Sequence, residues 1–434
     1  MKRILWMLPP LIVLLLCLSG CLFGDVEELL AVPAPPAVYQ SLQARIAGEQ
    51  GEAEAIAPLG GENRQSVQLV DLDGDGRQEA VAFFRDTAAG KTPLRVVIFR
   101  QDRNESYHVS ARIAGAGNDI ASVDYADLVG DEGCEVLVTW QASAAVRSLA
   151  AYTLDGEEPT QLLWESCDRY FTGDLDGDGK NELLLARAGE DGETPTRILC
   201  WDQKGDGMKK TDGSSLSRDI GEILCWTEGK LSDGSPAVFV TSRLGEGRRL
   251  TDILCAEDGK VINCVLPEDG GQSGAVCPDW ALAAPADLTG DGITDVPVAV
   301  PVPGFGEQEG ESFSWLNWRQ YRPDGTSGVV LRTCCDPKGD WYLELPADWT
   351  GKFAQSVAQR KGESSVMLAR AGEDRPFLTI RCLTGEDRGD RSRGNGQILL
   401  YAESGRLYTV QPDPEVWDCG MEREDFIEGF HVVN

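Results

Sequence analysis

Between about Glu62 and Thr333 the chain alternates short apolar runs with clusters of Gly, Asp and Pro. One set of runs leads into a polar loop: SVQLV, IASVDY, RYFTG, EILCW and ALAAPA. A second set leaves it: EAVAFF, EVLVTW, ELLLA, AVFVT and VPVAV. A third follows as LRVVIF, SLAAYTL, RILCW, DILCA and LNWRQY, and YHVSARI, QLLW, VINCVL and GVVLRT close several units. Turn signals such as LDGE, EDGK and PDG stand between them. Runs this short, bounded by turn residues, suit packed strands better than helices. The pattern predicts a mainly β protein made of four-stranded units.

The polar loop recurs. DLDGDGRQEAVAFF starts at Asp71, DLVGDEGCEVLVTW at Asp127, DLDGDGKNELLLAR at Asp174 and DLTGDGITDVPVAV at Asp287. A worn copy, KLSDGSPAVFVTS, starts at Lys230. The starts step by 56, 47, 56 and 57 residues. A period of that size with four strands per unit points to propeller blades or a related β-array. About five blades are countable. The segment EAEAIAPL near residue 52 and the strands after 340 are candidates for completing a ring of up to seven.

The loop chemistry points to calcium. In the first copy Asp71, Asp73, Asp75 and Glu79 stand at positions 1, 3, 5 and 9, and Arg77 at position 7 needs only its backbone carbonyl. The third copy supplies Asp174, Asp176, Asp178 and Glu182 with the Lys180 carbonyl. The fifth supplies Asp287, Thr289, Asp291 and Asp295 with the Ile293 carbonyl. The second has Val129 at position 3 but keeps Asp127, Asp131 and Glu135 with the Gly133 carbonyl. Several carboxylates in a flexible loop suit a hard cation, and glycines at positions 4 and 6 permit the bends. An EF-hand needs a bidentate Glu at position 12, where this chain has Ala82, Leu185 or Val298. The alternative without metal is a set of Asp/Gly-rich turns. The Lys230 copy is expected to hold none, so three to four structural Ca2+ sites are expected.

Loop, exit strand and spacing resemble FG-GAP/VCBS repeats, the blades of integrin-α-like β-propellers. The resemblance covers about Glu62 to Thr333. It implies that calcium staples each blade's turn and is structural, not catalytic. The entry into the first loop is also similar to clostridial-type VCBS-repeat lipoproteins of unknown role.

The N-terminus follows a different logic. MKRILWMLPPLIVLLLCLSGC has a basic start, a short apolar stretch and small residues before Cys21. Leu18-Ser19-Gly20-Cys21 resembles the lipobox of bacterial lipoproteins, which implies a signal peptide over 1–20 and lipidation of Cys21. The mature chain is then expected to be anchored to a bacterial membrane, facing outside the cytoplasm. Residues 21–36 read as a Pro-rich linker, and a helix is expected from Ala37 to about Ala47, with Val38, Leu42 and Ile46 on one face. The propeller with this helix is expected to fill 37–336. A separate β-rich domain with a terminal helix is expected over 337–434. Its aromatics Trp341, Tyr342, Trp349 and Tyr401 suit either core packing or a ligand face.

Composition narrows the function. The formal charge of −31 gives no reason to seek nucleic acid. Only His108 and His431 are present, which weakens His-based acid/base catalysis, Ser-His-Asp triads and His-ligated metals. Eleven cysteines follow Cys21, in no CxxC pattern, mostly inside strand-like runs where they act as small hydrophobes. The adjacent Cys334 and Cys335 are expected to face opposite sides of a strand. The dense acidic clusters are absorbed by the loops. The reading is therefore a non-catalytic, lipid-anchored binding scaffold for a protein or glycan. The alternatives are an envelope-assembly or sensory lipoprotein and, ranked last, a propeller-borne lyase or hydrolase.

Overall fold

The computed structural model describes residues 37–434 except 87–92, 104–105, 131–132, 145, 155–157, 190–193, 204–207, 350–351, 395 and 434. The leader, Cys21, the linker and the loop residue Asp131 lie outside the described residues.

Among the described residues six antiparallel sheets follow one another. The first holds Glu79–Arg85, Leu94–Gln101 and Tyr107–Gly115, with Val67–Val70 and Glu54–Ala55 end to end along one edge. The second runs through Asp119–Ala126, Glu135–Ser143, Val146–Thr153 and Thr160–Ser166. The third holds Arg169–Gly173, Glu182–Arg187, Arg197–Gln203 and Met208–Thr211. The fourth holds Ile220–Lys230, Pro236–Leu244, Arg248–Glu257 and Lys260–Asn263, with Val276–Pro278 beside the third of these. The fifth is built from Val296–Pro303, Ser312–Tyr321, Ser327–Cys335, Trp341–Leu345 and Phe430–Val432. The sixth holds Phe353–Arg360, Glu363–Arg370, Leu378–Thr384, Arg406–Pro412 and the edge strand Ile398–Glu403.

Each sheet packs face to face on the next. Val81, Phe83 and Ile98 meet Val123, Val138 and Trp140 between the first two. Leu137 and Leu149 meet Leu183 and Leu185, and Leu184 and Ile198 meet Val238 and Leu254. Phe239 and Ile253 meet Val296 and Tyr321. Trp315 and Leu343 meet Val366 and Ile380. The middle sheets are covered on both faces, which is why EAVAFF or ELLLA reads as continuous apolar sequence rather than alternation. The approach is close at Gly115, where a Cβ would lie 2.1 Å from the Trp140 ring. The helix Ala37–Gln50 covers the remaining face of the first sheet, with Leu42 and Ile46 against Ala82, Phe84, Val97 and Phe99. Deleting a side chain buried like Phe83 costs about 3–5 kcal/mol.

Two expectations change. ALAAPA does not form an entering strand: residues 281–286 turn, and only Ala286 bridges to Asp295. Pro285 removes a ladder donor there. The fifth sheet therefore starts at Val296 and takes its fourth strand from Trp341–Leu345, which pairs with Ser327–Cys335. The domain boundary expected at 337 falls inside that sheet, and the core below it runs from Val302 to Phe430. Trp341 and Trp349 are both buried in this core. Trp349 sits among Phe353, Phe377 and Trp417. Tyr342 stacks on His431, and Tyr401 is exposed. The terminal helix is present at Arg423–Glu428, closed by a capping box between Glu422 and Asp425. Cys334 and Cys335 enter different cores on the two sides of their strand.

Candidate metal centres

The first four loops join the entering and leaving strands of their sheets, the fifth runs from the Ala286 bridge into Val296–Pro303, and the second residue holds each one down. Leu72, Leu128, Leu175 and Leu231 are buried between their own sheet and the next, and Leu288 is partly buried in the fifth. The ninth residue then closes the loop. The backbone N–H of Leu72 donates to Glu79 Oε2 at 2.9 Å, Leu128 to Glu135 at 2.7 Å, Leu175 to Glu182 at 2.7 Å and Leu288 to Asp295 at 2.9 Å. In the worn copy Leu231 donates instead to the Ser235 carbonyl at 2.9 Å, so a backbone oxygen replaces the carboxylate. The sequence contains both residues of this clamp. The leucine carries no motif signal of its own, because it looks like ordinary strand hydrophobicity.

The first aspartate organises the bend. Asp174 accepts the N–H groups of Gly177 and Gly179 at 2.7 and 2.9 Å, and Asp287 accepts those of Gly290, Asp291 and Gly292 at 2.7, 3.1 and 2.9 Å. Asp71 accepts that of Gly76 at 2.9 Å. Gly74, Gly76, Gly177, Gly179, Gly290 and Gly292 all have φ between 70° and 87°, the left-handed conformation that positions 4 and 6 were expected to need. The fifth-position aspartates serve the backbone as well. Asp75, Asp178 and Asp291 each accept the N–H two residues on, at 2.9 Å.

What remains at the loop centres differs from copy to copy. Carboxylate oxygens of Asp71, Asp73 and Glu79 lie within 4.8 Å of one another, and so do those of Asp174, Asp176 and Glu182. Among the described residues these are the two groups of three metal-ligating side chains that gather. In each group one oxygen is buried with no hydrogen-bond partner: Asp71 Oδ1 in the first, Glu182 Oε1 in the third. A buried unpaired carboxylate oxygen is costly and calls for a cation. The donor set fits calcium: hard oxygens, several carboxylates and no nitrogen or sulfur. Asp71, Asp73 and Glu79, and Asp174, Asp176 and Glu182, would hold it. It would supply positive charge that binds the entering strand to the leaving strand.

The electrostatics follow. Burial raises the Glu182 carboxyl to about 7, reinforced by Asp176 and Asp202. Burial likewise raises Asp176 and, in the first loop, Glu79. The first loop is partly neutralised from within. Arg77 pairs with Asp75 and holds its carboxyl below the usual range, and Arg100 Nη2 lies 3.3 Å from Asp73. In the fifth loop the Gln320 amide donates to Asp291 Oδ2 at 2.8 Å and to Asp295 Oδ1 at 3.0 Å, so these two carboxylates share one neutral donor. The Thr289 hydroxyl donates to Asp295 Oδ2 at 3.2 Å. In the second loop Asp127 accepts Gly130 N–H at 2.6 Å and Glu135 is buried.

Neighbouring loops are joined through their eighth residues, a feature no motif announces. Cys134 N–H donates to Leu72 O at 2.8 Å, Asn181 Nδ2 to Asp127 O at 2.8 Å and Thr294 N–H to Lys230 O at 3.0 Å. The first three loops are thus tied to one another, and the Lys230 copy to the 287–295 loop. A buried acid outside the loops, Asp252 in the fourth sheet, is served by Ser217 and Asn263 and has no loop role.

No protein-family model matches the chain, and no curated protein does. Among solved structures it is similar to a protein from Lactobacillus plantarum (11% identity, 76% of this chain and 81% of that one, TM-score 0.26). It is also similar to TolB from Acinetobacter baumannii (11% identity, 69% and 62%, TM-score 0.25). A third is a 6-phosphogluconolactonase, so described, from Bacteroides fragilis (11% identity, 74% and 94%, TM-score 0.28). TM-scores this low define neither a shared fold nor a shared activity. Among the described residues no helix is long and apolar enough to cross a membrane.

Proposed function

We propose that this chain is a calcium-stiffened, propeller-type β-array of FG-GAP/VCBS character, lipid-anchored at Cys21 outside the cytoplasm, that works as a non-catalytic binding scaffold for a protein or glycan. The observation that carries the calcium role is the pair of buried, unpartnered carboxylate oxygens, Asp71 Oδ1 and Glu182 Oε1, each within a group of three carboxylates. A cation there ties the entering strand, the loop and the leaving strand together, and the eighth-residue bonds separately pin neighbouring loops to one another. Loops held in this way form a rigid platform, and rigid platforms lower the ordering cost of binding. The acidic side chains of the loops are engaged in closing turns, which supports a structural rather than a catalytic use. An envelope-assembly or sensory role differs from this only in the partner.

Crosslinking and pulldown from the native envelope, with and without calcium, tests the scaffold reading. A partner retained in calcium and lost in EDTA is the expected result. Identical recovery in both would remove calcium from the binding role. Metabolic labelling with an alkyne fatty acid tests the anchor: label is expected on the wild type and absent from Cys21→Ser, and an unlabelled wild type would end the lipoprotein reading.

A further inference from the structure

The four acid-closed loops share one backbone scheme but face four different side chains from the neighbouring strand. In antiparallel sheets the residue directly opposite projects to the same face, at about 5 Å between Cβ atoms. Leu183 pairs with Trp201, so the next pair is Glu182 with Asp202. Ala80 pairs with Phe99, which sets Arg100 opposite Glu79. Val136 pairs with Tyr152, which sets Thr153 opposite Glu135. Val296 pairs with Arg319, which sets Gln320 opposite Asp295. The loops are thus faced by a carboxylate, a guanidinium, a hydroxyl and an amide. Two of these demonstrably reach the loop: Arg100 to Asp73 and Gln320 to both Asp291 and Asp295.

We propose that this cross-strand residue, which lies far outside the loop motif, sets the cation affinity of each loop, so that Asp202 makes the 174–182 loop the tightest calcium site while Gln320 closes the 287–295 loop without metal. The inference rests on the calcium reading of the loops. In the third loop Asp202 places a further carboxylate opposite Glu182, beside the gathered group of Asp174, Asp176 and Glu182, and its charge acts on Glu182, a side chain 3% exposed that keeps an unpartnered oxygen. Calcium affinity rises with the count of ligand charges in the site. In the first loop Arg100 places a fixed positive charge 3.3 Å from a ligand carboxylate, which opposes a cation. In the fifth, one amide nitrogen supplies to two carboxylates the donors that an ion would otherwise replace.

Calorimetric calcium titration and native mass spectrometry of the full chain test this, on the wild type and on Asp202→Asn, Arg100→Gln and Gln320→Glu. Asp202→Asn is expected to weaken the tightest site about tenfold or more, in the range of neighbouring-shell effects on metal sites. Arg100→Gln is expected to tighten a weaker site, and Gln320→Glu to add an ion. Melting in EDTA accompanies each variant; Gln320→Glu and Arg100→Gln keep the proposal testable if Asp202→Asn folds poorly. Calcium binding that is indifferent to all three substitutions would overturn the inference and leave the calcium reading standing. A wild type that binds no calcium would overturn both.

Discussion

The third and fifth loops are the instructive pair. Both begin with Asp-Leu, followed by Asp176 in the third and Thr289 in the fifth, both bend at two left-handed glycines, and both close by an acid at position 9 capping the N–H of position 2. Their centres differ. The 174–182 loop ends with a buried oxygen that nothing satisfies, and the 287–295 loop ends with its carboxylates satisfied by Gln320. The worn copy at Lys230 carries the series further: it has lost the acid, uses the Ser235 carbonyl, and still holds its leucine in the core. The turn therefore does not depend on metal to exist. The leucine and the backbone cap form it, and on the proposed reading a cation would be an added stabiliser where unpaired charge is left over.

The largest expected effect separates the two loops at once. Removing calcium with EDTA should lower Tm by about 3 °C, because a ligand present at a hundred times its Kd stabilises by about 2.7 kcal/mol. Glu182→Gln should abolish most of that difference, and Asp295→Asn should leave it intact. An EDTA-independent melt would show that the orphan oxygens are satisfied without a cation. A smaller effect tests the shared scheme. At Gly179 and Gly292 an added Cβ would meet nothing within 4 Å, yet φ is 87° and 82°. Alanine at either site should cost about 1–2 kcal/mol from backbone strain alone. The two costs should be equal in EDTA and differ only in calcium, as denaturant midpoints of the two variants would show.

A weaker handle is pH. The Glu182 carboxyl is raised by burial to about 7, above its ordinary value of 4.5. A raised folded value favours the protonated, folded form. Its contribution is thus fully present below about pH 4.5 and is lost as pH rises towards 7 and beyond. The calcium-free chain should lose Tm between pH 5 and pH 8 through this group, and Glu182→Gln should flatten that slope. In saturating calcium the slope should reverse, since protons compete with the cation. A calcium-free slope that Glu182→Gln leaves unchanged would place the titration elsewhere.

These contrasts also show how far sequence reasoning reaches. Positions 1, 3, 5 and 9 were legible because they fall at fixed offsets within one loop, and the glycines because their left-handed bends leave no alternative. Most strands were legible because turn residues bracket them. The entering strand of the fifth sheet was misread: ALAAPA has the hydrophobicity of a strand, but Pro285 denies it a ladder, and the count of strands then slipped by one. That slip placed a domain boundary inside a sheet. Asp202, Arg100 and Gln320 were illegible for a different reason. They face the loops only through strand register, between 20 and 29 residues away in the chain for Asp202 and Gln320 measured from Glu182 and Asp291, and periodicity does not encode register across a loop of variable length.

The smallest expected effect concerns the bonds that join neighbouring loops. Asn181 Nδ2 donates to the Asp127 carbonyl at 2.8 Å, and the side chain is half-buried between the second and third sheets. Asn181→Ala removes one hydrogen bond of that kind and should cost about 1 kcal/mol. The neighbouring position 182 closes the third loop, so the substitution also asks whether that bond and the cation act as one unit. If the bond only pins two sheets together, its cost is the same in calcium and in EDTA, and that is the expected result, because Asn181 contributes no oxygen to the carboxylate group. A cost that appears only in calcium would mean that metal in the 174–182 loop draws the second loop with it. The double-mutant cycle of Asn181→Ala with Glu182→Gln, measured in both conditions, reads this coupling directly.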